Sequence, residues 1–317
     1  MLKKLLGFGA LAALLASCVP ASSDTVEFGE NSPMAAIQAE GVLRVAVPPD
    51  SAPFSFTGES GQAEGFLIEL GTHIADSLEV DVEFVFADSA DMAEMVGGDD
   101  PDRRIIGDQD AEVAFPLFPV NESLYKVRSR ELGFDVTTPF FVGHQRLLVP
   151  EGSSIETTAD LGGQSVCAFI DPIAGVPIEE LAPYAAVQEA NTLDECASAL
   201  VEGASQSLAS FGGRVEVAAA MEPDLLMMLA DIQEQDPGAA FQIVGEQAST
   251  AGYAPIVVRN MNAWASDAFI DMREDGRWVE AYNKWIAPLT GEEVTEPPNM
   301  TLDEAASLYP IVSEPES

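Results

Sequence analysis

The chain has 317 residues and a formal net charge of -39, with 53 acids against 14 lysines and arginines, and 47% of it is hydrophobic. That length accommodates two domains, and the apolar fraction with 16 Phe is enough for packed cores, which excludes a disordered acidic chain. The charge excludes nucleic acid and electrostatic docking on anionic lipid, since both need clustered Lys and Arg; it bears on solubility rather than on fold.

Residues 1–17, MLKKLLGFGALAALLAS, place Lys3 and Lys4 ahead of an apolar run from Leu5 to Ala16. The run is too short to span a bilayer and has the layout of a secretory signal peptide. Leu15-Ala16-Ser17-Cys18 resembles a bacterial lipobox, which implies cleavage before Cys18 and lipid on its sulfur. The expectation is an exported protein anchored to a membrane, in the periplasm or at the cell surface, with residues 18–33 as a polar tether.

MAAIQAEG reads as a short helix ended by Gly41, VLRVAV (42–47) as a strand, and PPDSAPFSFTGESGQ as a loop of turn formers. GFLIELGTHIADSLEV sets Phe66, Leu70, Ile74 and Leu78 four apart, an amphipathic helix, and VDVEFVFA alternates as a strand. A strand, a crossover helix and a second strand predict a parallel sheet and the α/β class. Residues 87–109 read as helix plus loop, AEVAFPLF as a buried strand running into a loop, and HQRLLVP (144–150) as a strand leaving the first domain.

A second unit opens after Pro150. DLGGQSVCAFI reads as a turn then a strand, IEELAPY and TLDECASALVEGA as helices, and ASQSLASF as a short strand. EPDLLMMLADIQEQD is a helix with Pro223 in its first turn, followed by strands at AFQIVGE and YAPIVVR. WASDAFIDMREDGRWVEAYNKWI gives two helices broken at Asp275-Gly276, and the acidic tail from Thr290 holds a last helix at LDEAASLY.

Beyond Cys18 only Cys167 and Cys196 remain. In an exported chain an even pair reads as a disulfide, worth roughly 3–4 kcal/mol for a loop of this size; the other reading is two buried thiols. With no CxxC and only His73 and His144, no zinc, redox site or other cofactor is expected.

The stretch KVRSRELGFDVTTPFF places three of the fourteen cations, Lys126, Arg128 and Arg130, within five residues, with Arg146 a short way on. A positive island in so acidic a chain points to an anionic partner, either an internal carboxylate or a ligand.

The order of these segments, from Met34 to Gly291, resembles the family 3 solute-binding proteins of bacterial ABC importers, the polar amino-acid type. GVLRVAVPPDSAPFSF resembles the opening strand and first ligand loop, FDVTTPFFVGHQRLLVPEGSSIETTADLGGQSVC the passage from one domain to the next, and DMREDGRWVEAYNKWI the closing helices. Cys167 and Cys196 match the disulfide of a glutamate-type subgroup. The resemblance implies a type II periplasmic-binding-protein-like fold: two α/β lobes joined by two hinge strands, with ligand in the cleft. Lobe 1 would be 34–145 plus 252–317, and lobe 2 would be 146–251. It also implies a monomer that holds a small molecule and partners an ABC permease.

In that family a Thr-x-x-Arg pattern precedes a segment like FDVTTPFF, and its Arg clamps the ligand's α-carboxylate. Counting back places Arg130 at the Arg position, facing the cleft, with Val127 where Thr should be. Another registration uses Val120-Asn121-Glu122-Ser123 and leaves Ser123 at the Arg position. The second-lobe Gly-Thr stands as Asp171-Pro172, and the acid for an α-amino group, at the end of the strand after Gly203, stands as Phe211. The first-loop aromatic is Ser51, with Phe54 and Phe56 near. These two, with Phe118 and Phe211, make an apolar cleft, and Phe115 reads as core. Lys126 and Arg128 are assigned to the surface, balancing Glu122 and Glu131.

The scaffold is kept while the recognition set is replaced, so the expected ligand is a small polar or anionic metabolite other than an ordinary α-amino acid. A sensor with the same fold and no permease is the alternative. Some relatives are dehydratases, but the chain lacks a Ser-His-Asp set and has two His, and Glu69 reads as structural, so no enzyme is expected.

Overall fold

The computed structural model describes residues 28–96, 111–169, 175–205 and 215–310. Helix α1 (Pro33–Glu40) starts at Ser32, whose hydroxyl accepts from Ala35 N at 3.2 Å, and stops at Gly41 with φ 81°. Strand β1 (Val42–Val47), a small hairpin of β2 (Phe56–Thr57) and β3 (Ala63–Glu64), helix α2 (Phe66–Ser77) and strand β4 (Asp81–Phe86) follow. β1 and β4 pair in parallel, so the βαβ unit is present; the hairpin replaces what reads from sequence as plain loop.

Helix α3 (Met92–Val96), strand β5 (Val113–Ala114), helix α4 (Ser129–Leu132) and strand β6 (Phe134–Val136) come next. A π-helical turn over Leu124–Arg128 runs straight into α4. Strand β7 (Phe141–Pro150) leads to β8 (Ser165–Phe169), α5 (Ile178–Leu181), β9 (Ala186–Ala190), α6 (Leu193–Ser205), β10 (Val217–Met221), α7 (Glu222–Gln235) and β11 (Phe241–Val244). Of the expected strand ASQSLASF, Ala204 and Ser205 end α6 and the remainder lies outside the described residues. β12 (Thr250–Tyr253), β13 (Ile256–Val258), α8 (Asn262–Glu274), α9 (Arg277–Trp285), α10 (Ala287–Thr290) and α11 (Leu302–Leu308) complete the chain, with α8 and α9 broken at Asp275 and Gly276.

The strands form two main sheets, ordered β4-β1-β5-β13-β6 and β11-β7-β10-β8-β9. β7 joins them. Its first part pairs with β12, Phe141 opposite Tyr253 and His144 opposite Thr250, and its later residues pair with β10 and β11. β7 and β12 are thus the two crossing strands between an α/β lobe built on each sheet.

The first lobe has one large core, with Phe54, Phe66, Phe115, Phe134, Phe140 and Trp278 all fully buried. The second has two smaller clusters, one on each face of its sheet. Cys167 on β8 is disulfide-bonded to Cys196 on α6, the pairing read from the sequence.

Candidate ligand-binding site

Ligands of open α/β sheets sit at the carboxyl ends of the strands. In the first lobe β5 runs parallel to β1, and β13 is antiparallel to both β5 and β6, so β6 points the same way as β1. Their carboxyl ends carry the loop after Val47, the segment from Phe115 to Asn121, and Thr137 to Phe140, which feeds β7. In the second lobe Met221 at the carboxyl end of β10 lies opposite Gln145 on β7, beside the crossing. Both sets of strand ends therefore face the hinge, and the space between them is the candidate site.

The first loop is held by its own backbone. Ser51 and Ser55 form an isolated bridge, and their hydroxyls donate to Pro49 O at 2.7 Å and Pro48 O at 2.6 Å. Gly65 closes it at φ 128°, where a Cβ would fall 2.4 Å from Phe54 O, so only glycine fits. Ser51 is half-buried at the carboxyl end of β1. Phe54 is not a cleft wall: it is fully buried, edge-on to Phe66 at 6.5 Å and Phe141 at 5.7 Å, because the bridge turns its side chain into the core. Phe56 is half-buried on the hairpin, edge-on to Trp285 at 5.7 Å. Phe115 is core, against Phe140 and Phe269, and Phe118 is half-buried, one residue past Leu117, whose N–H donates to Ser89 Oγ at 3.1 Å. Glu69 is structural: its Oε1 takes Lys284 Nζ at 2.5 Å and Trp285 Nε1 at 3.3 Å, tying α2 to α9.

The structure corrects Arg130. Asn121 Oδ1 accepts from Leu124 N at 2.7 Å, which marks the start of the helical stretch that runs to Leu132. Val120 to Ser123 therefore stand at its start, near the carboxyl end of β5, with Ser123 exposed. Arg130 lies about 13 Å along the helix from the Asn121 cap. It is exposed, in a pocket with Phe134 and Asn260 at the amino end of β6, the opposite end of the sheet from the cleft. Counting back from Phe134 stops short of the cleft because the helical stretch, with its π-helical turn, lies between Asn121 and Phe134. Lys126 behaves as read from the sequence, on the surface with Glu122 at 2.7 Å.

Asp171, Pro172 and Phe211 lie outside the described residues. Among the described residues the strand following Gly203 is β10, and it ends at Met221, 2% exposed. Gln145 reaches past it: its Nε2 donates to Val176 O and its Oε1 accepts from Val176 N, both at 2.7 Å, fastening the segment that leads into α5.

A polar cluster at the crossing was not found from sequence. Glu222 opens α7, 8% exposed; its Oε1 lies 3.8 Å from Arg146 Nη1, and its Oε2 accepts from His144 N at 3.3 Å. Burial raises the Glu222 carboxyl above its ordinary range, opposed by Arg146 and the His144 amide. Burial, then Arg146, lowers His144, whose Nδ1 meets Thr250 Oγ1 at 3.0 Å. Tyr282 on α9 is pushed up to about 12 by burial, then by Glu222 and Glu292. The available signals were a lone Arg in an apolar strand and an acid directly after VAAAM. The cluster links β7 to α7 and lies close to α9. The described residues contain no cluster of three or more His, Cys, Asp or Glu fit for a metal.

Two α/β lobes on two crossing strands, with strand ends converging between them, are a type II periplasmic-binding-protein-like fold. A family model for bacterial extracellular solute-binding proteins, family 3, matches residues 43–103. The ABC transporter glutamine-binding protein GlnH of Bacillus subtilis (strain 168) is 26% identical over 283 residues, spanning 86% of this chain and 92% of GlnH. The fold is shared with an ancestral cationic amino acid solute-binding protein, at TM-score 0.60 and 20% identity over 80% of this chain and 99% of that one. It is shared too with the solute receptor for L-cysteine of Neisseria gonorrhoeae, at 0.53 and 22% over 83% and 97%. Over residues 43–103 the chain is similar to the family 3 extracellular solute-binding proteins, and over most of its length to GlnH.

Proposed function

We propose that this protein is the substrate-binding component of an ABC importer and captures a small polar metabolite other than an ordinary α-amino acid. The observation that carries this is buried Met221 at the end of β10, where the resemblance calls for an acid. The nearest acid to Met221, Glu222, is already engaged by Arg146. The anionic form of the reading rested on Arg130, which lies at the far end of the lobe. Ser51, Phe56 and Phe118 are the described residues we assign to the ligand, with Ser123 at the rim and Asp171 from the second lobe.

Capture proceeds by hinge closure of lobe 1 (34–145 plus 252–317) on lobe 2 (146–251), about β7 and β12. Residues 1–17 are the signal peptide and Cys18 carries lipid, so that the 18–33 tether presents a monomer to its permease. Its relatives are solute-binding proteins, and we assign this chain no catalytic step.

The test is a metabolite panel against refolded mature protein, by thermal shift and then small-angle scattering. A true ligand stabilises by about 2.7 kcal/mol at a hundredfold excess over Kd and compacts the molecule. Stabilisation and compaction by common α-amino acids would sink the divergent-ligand reading. A saturating ligand without compaction would sink closure.

A further inference from the structure

The cationic stretch leads to a second pocket. The π-helical turn with the start of α4, the start of β6, the turn after β13 and the start of α11 enclose about 470 Å3, lined by Tyr125, Lys126, Arg130, Arg259, Asn262 and Asp303, among others. All of these elements flank the first sheet, and the pocket opens at the amino end of β6, away from the cleft.

Its charges are unequally engaged. Lys126 is bonded to Glu122 and lies in the field of Asp303. Asp135, also in the lining, accepts from Asn260 N at 2.7 Å. Arg130 is exposed and makes no ion pair among the described residues. Arg259 donates from Nη2 to Ser129 O at 2.8 Å, and its buried Nε has no partner. Two guanidinium groups thus line one cavity opposite the carboxylates of Asp135 and Asp303, with the Tyr125 ring beside them.

We propose that this pocket is a second ligand site, for a small organic carboxylate met by Arg130 and Arg259. A guanidinium fork matches the planar carboxylate with paired donors. In a chain of net charge -39 an anion is held only where cations are gathered. A helix C-terminus favours one cation in its last turn, which explains Arg130 alone. It does not explain a second guanidinium brought from the end of β13, or the cavity between them.

The experiment is calorimetric titration of the mature protein with succinate, with inorganic phosphate and sodium chloride as comparison anions, repeated on Arg130→Gln and Arg259→Gln. One-to-one succinate binding is expected, weakened about tenfold or more by either variant, with no compaction in scattering. Arg259→Gln also removes a helix contact, so exposed Arg130 carries the decision. Unchanged affinity in Arg130→Gln would put the succinate elsewhere and overturn the proposal. Non-saturating binding, or a preference for phosphate, would overturn it as well. Because the site lies within one lobe, a failure of cleft closure leaves this result unaffected.

Discussion

Around Phe66 the first lobe gathers Phe54, Phe141, Trp278 and Tyr282 with ring centroids 5.7–6.5 Å from it. Trp278 also donates from Nε1 to Phe140 O at 2.8 Å. At the centre of the second sheet is β10, Val-Ala-Ala-Ala-Met, with a separate cluster on either face. Aromatic side chains each bury on the order of 150–250 Å2, and alanine buries far less. The first lobe therefore draws its stability from transfer and ring packing. The second packs elements closely over small side chains and adds a covalent link across 29 residues, worth about 3.5 kcal/mol in the chain-entropy model. The lobe that carries the disulfide is the one with thinner cores.

Breaking the aromatic side should have the largest effect. Trp278→Ala removes a ring stacked on Tyr282 at 5.3 Å and leaves Phe140 O without its donor. A loss of about 3–5 kcal/mol in urea unfolding is expected. A loss below about 1 kcal/mol would show that the cluster does not carry the lobe.

The stapled side comes next. Cys167→Ala with Cys196→Ala should cost about 2–4 kcal/mol. Hydrogen exchange should locate the loss in β8 and α6, leaving β1 and α2 protected. Equal loss in both places would mean that the lobes unfold as one cooperative unit and that the contrast between them has no thermodynamic counterpart.

The smallest effect sharpens the contrast between cleft and far end. Arg130→Ala should change stability by less than about 1 kcal/mol and leave the affinity of the interlobe ligand unaltered. Weakened binding of that ligand would return Arg130 to the cleft, against its position beside Phe134.

Several features were legible in the sequence because they depend on neighbouring residues. The four-residue spacing from Phe66 to Leu78 predicted α2, and VLRVAV predicted β1. Gly41 and Gly276 marked helix ends, and export with two cysteines marked the disulfide. The strand β9 was missed because its side chains are exposed or only half-buried at the edge of the sheet, leaving AVQEA without an apolar pattern. Phe54 looked like a ligand wall because a Phe among turn formers has no periodicity to announce burial; the Ser51–Ser55 bridge turns it inward. Arg130 looked like a clamp because its distance from Phe134 was counted along the chain. Periodicity fixes the local backbone and the face a residue takes, whereas the end of the sheet at which a residue lies depends on strand direction and helix length. Those were set here by the Asn121 cap, the π-helical turn and the pairing of β6 with β13, which are contacts made only once the chain has folded.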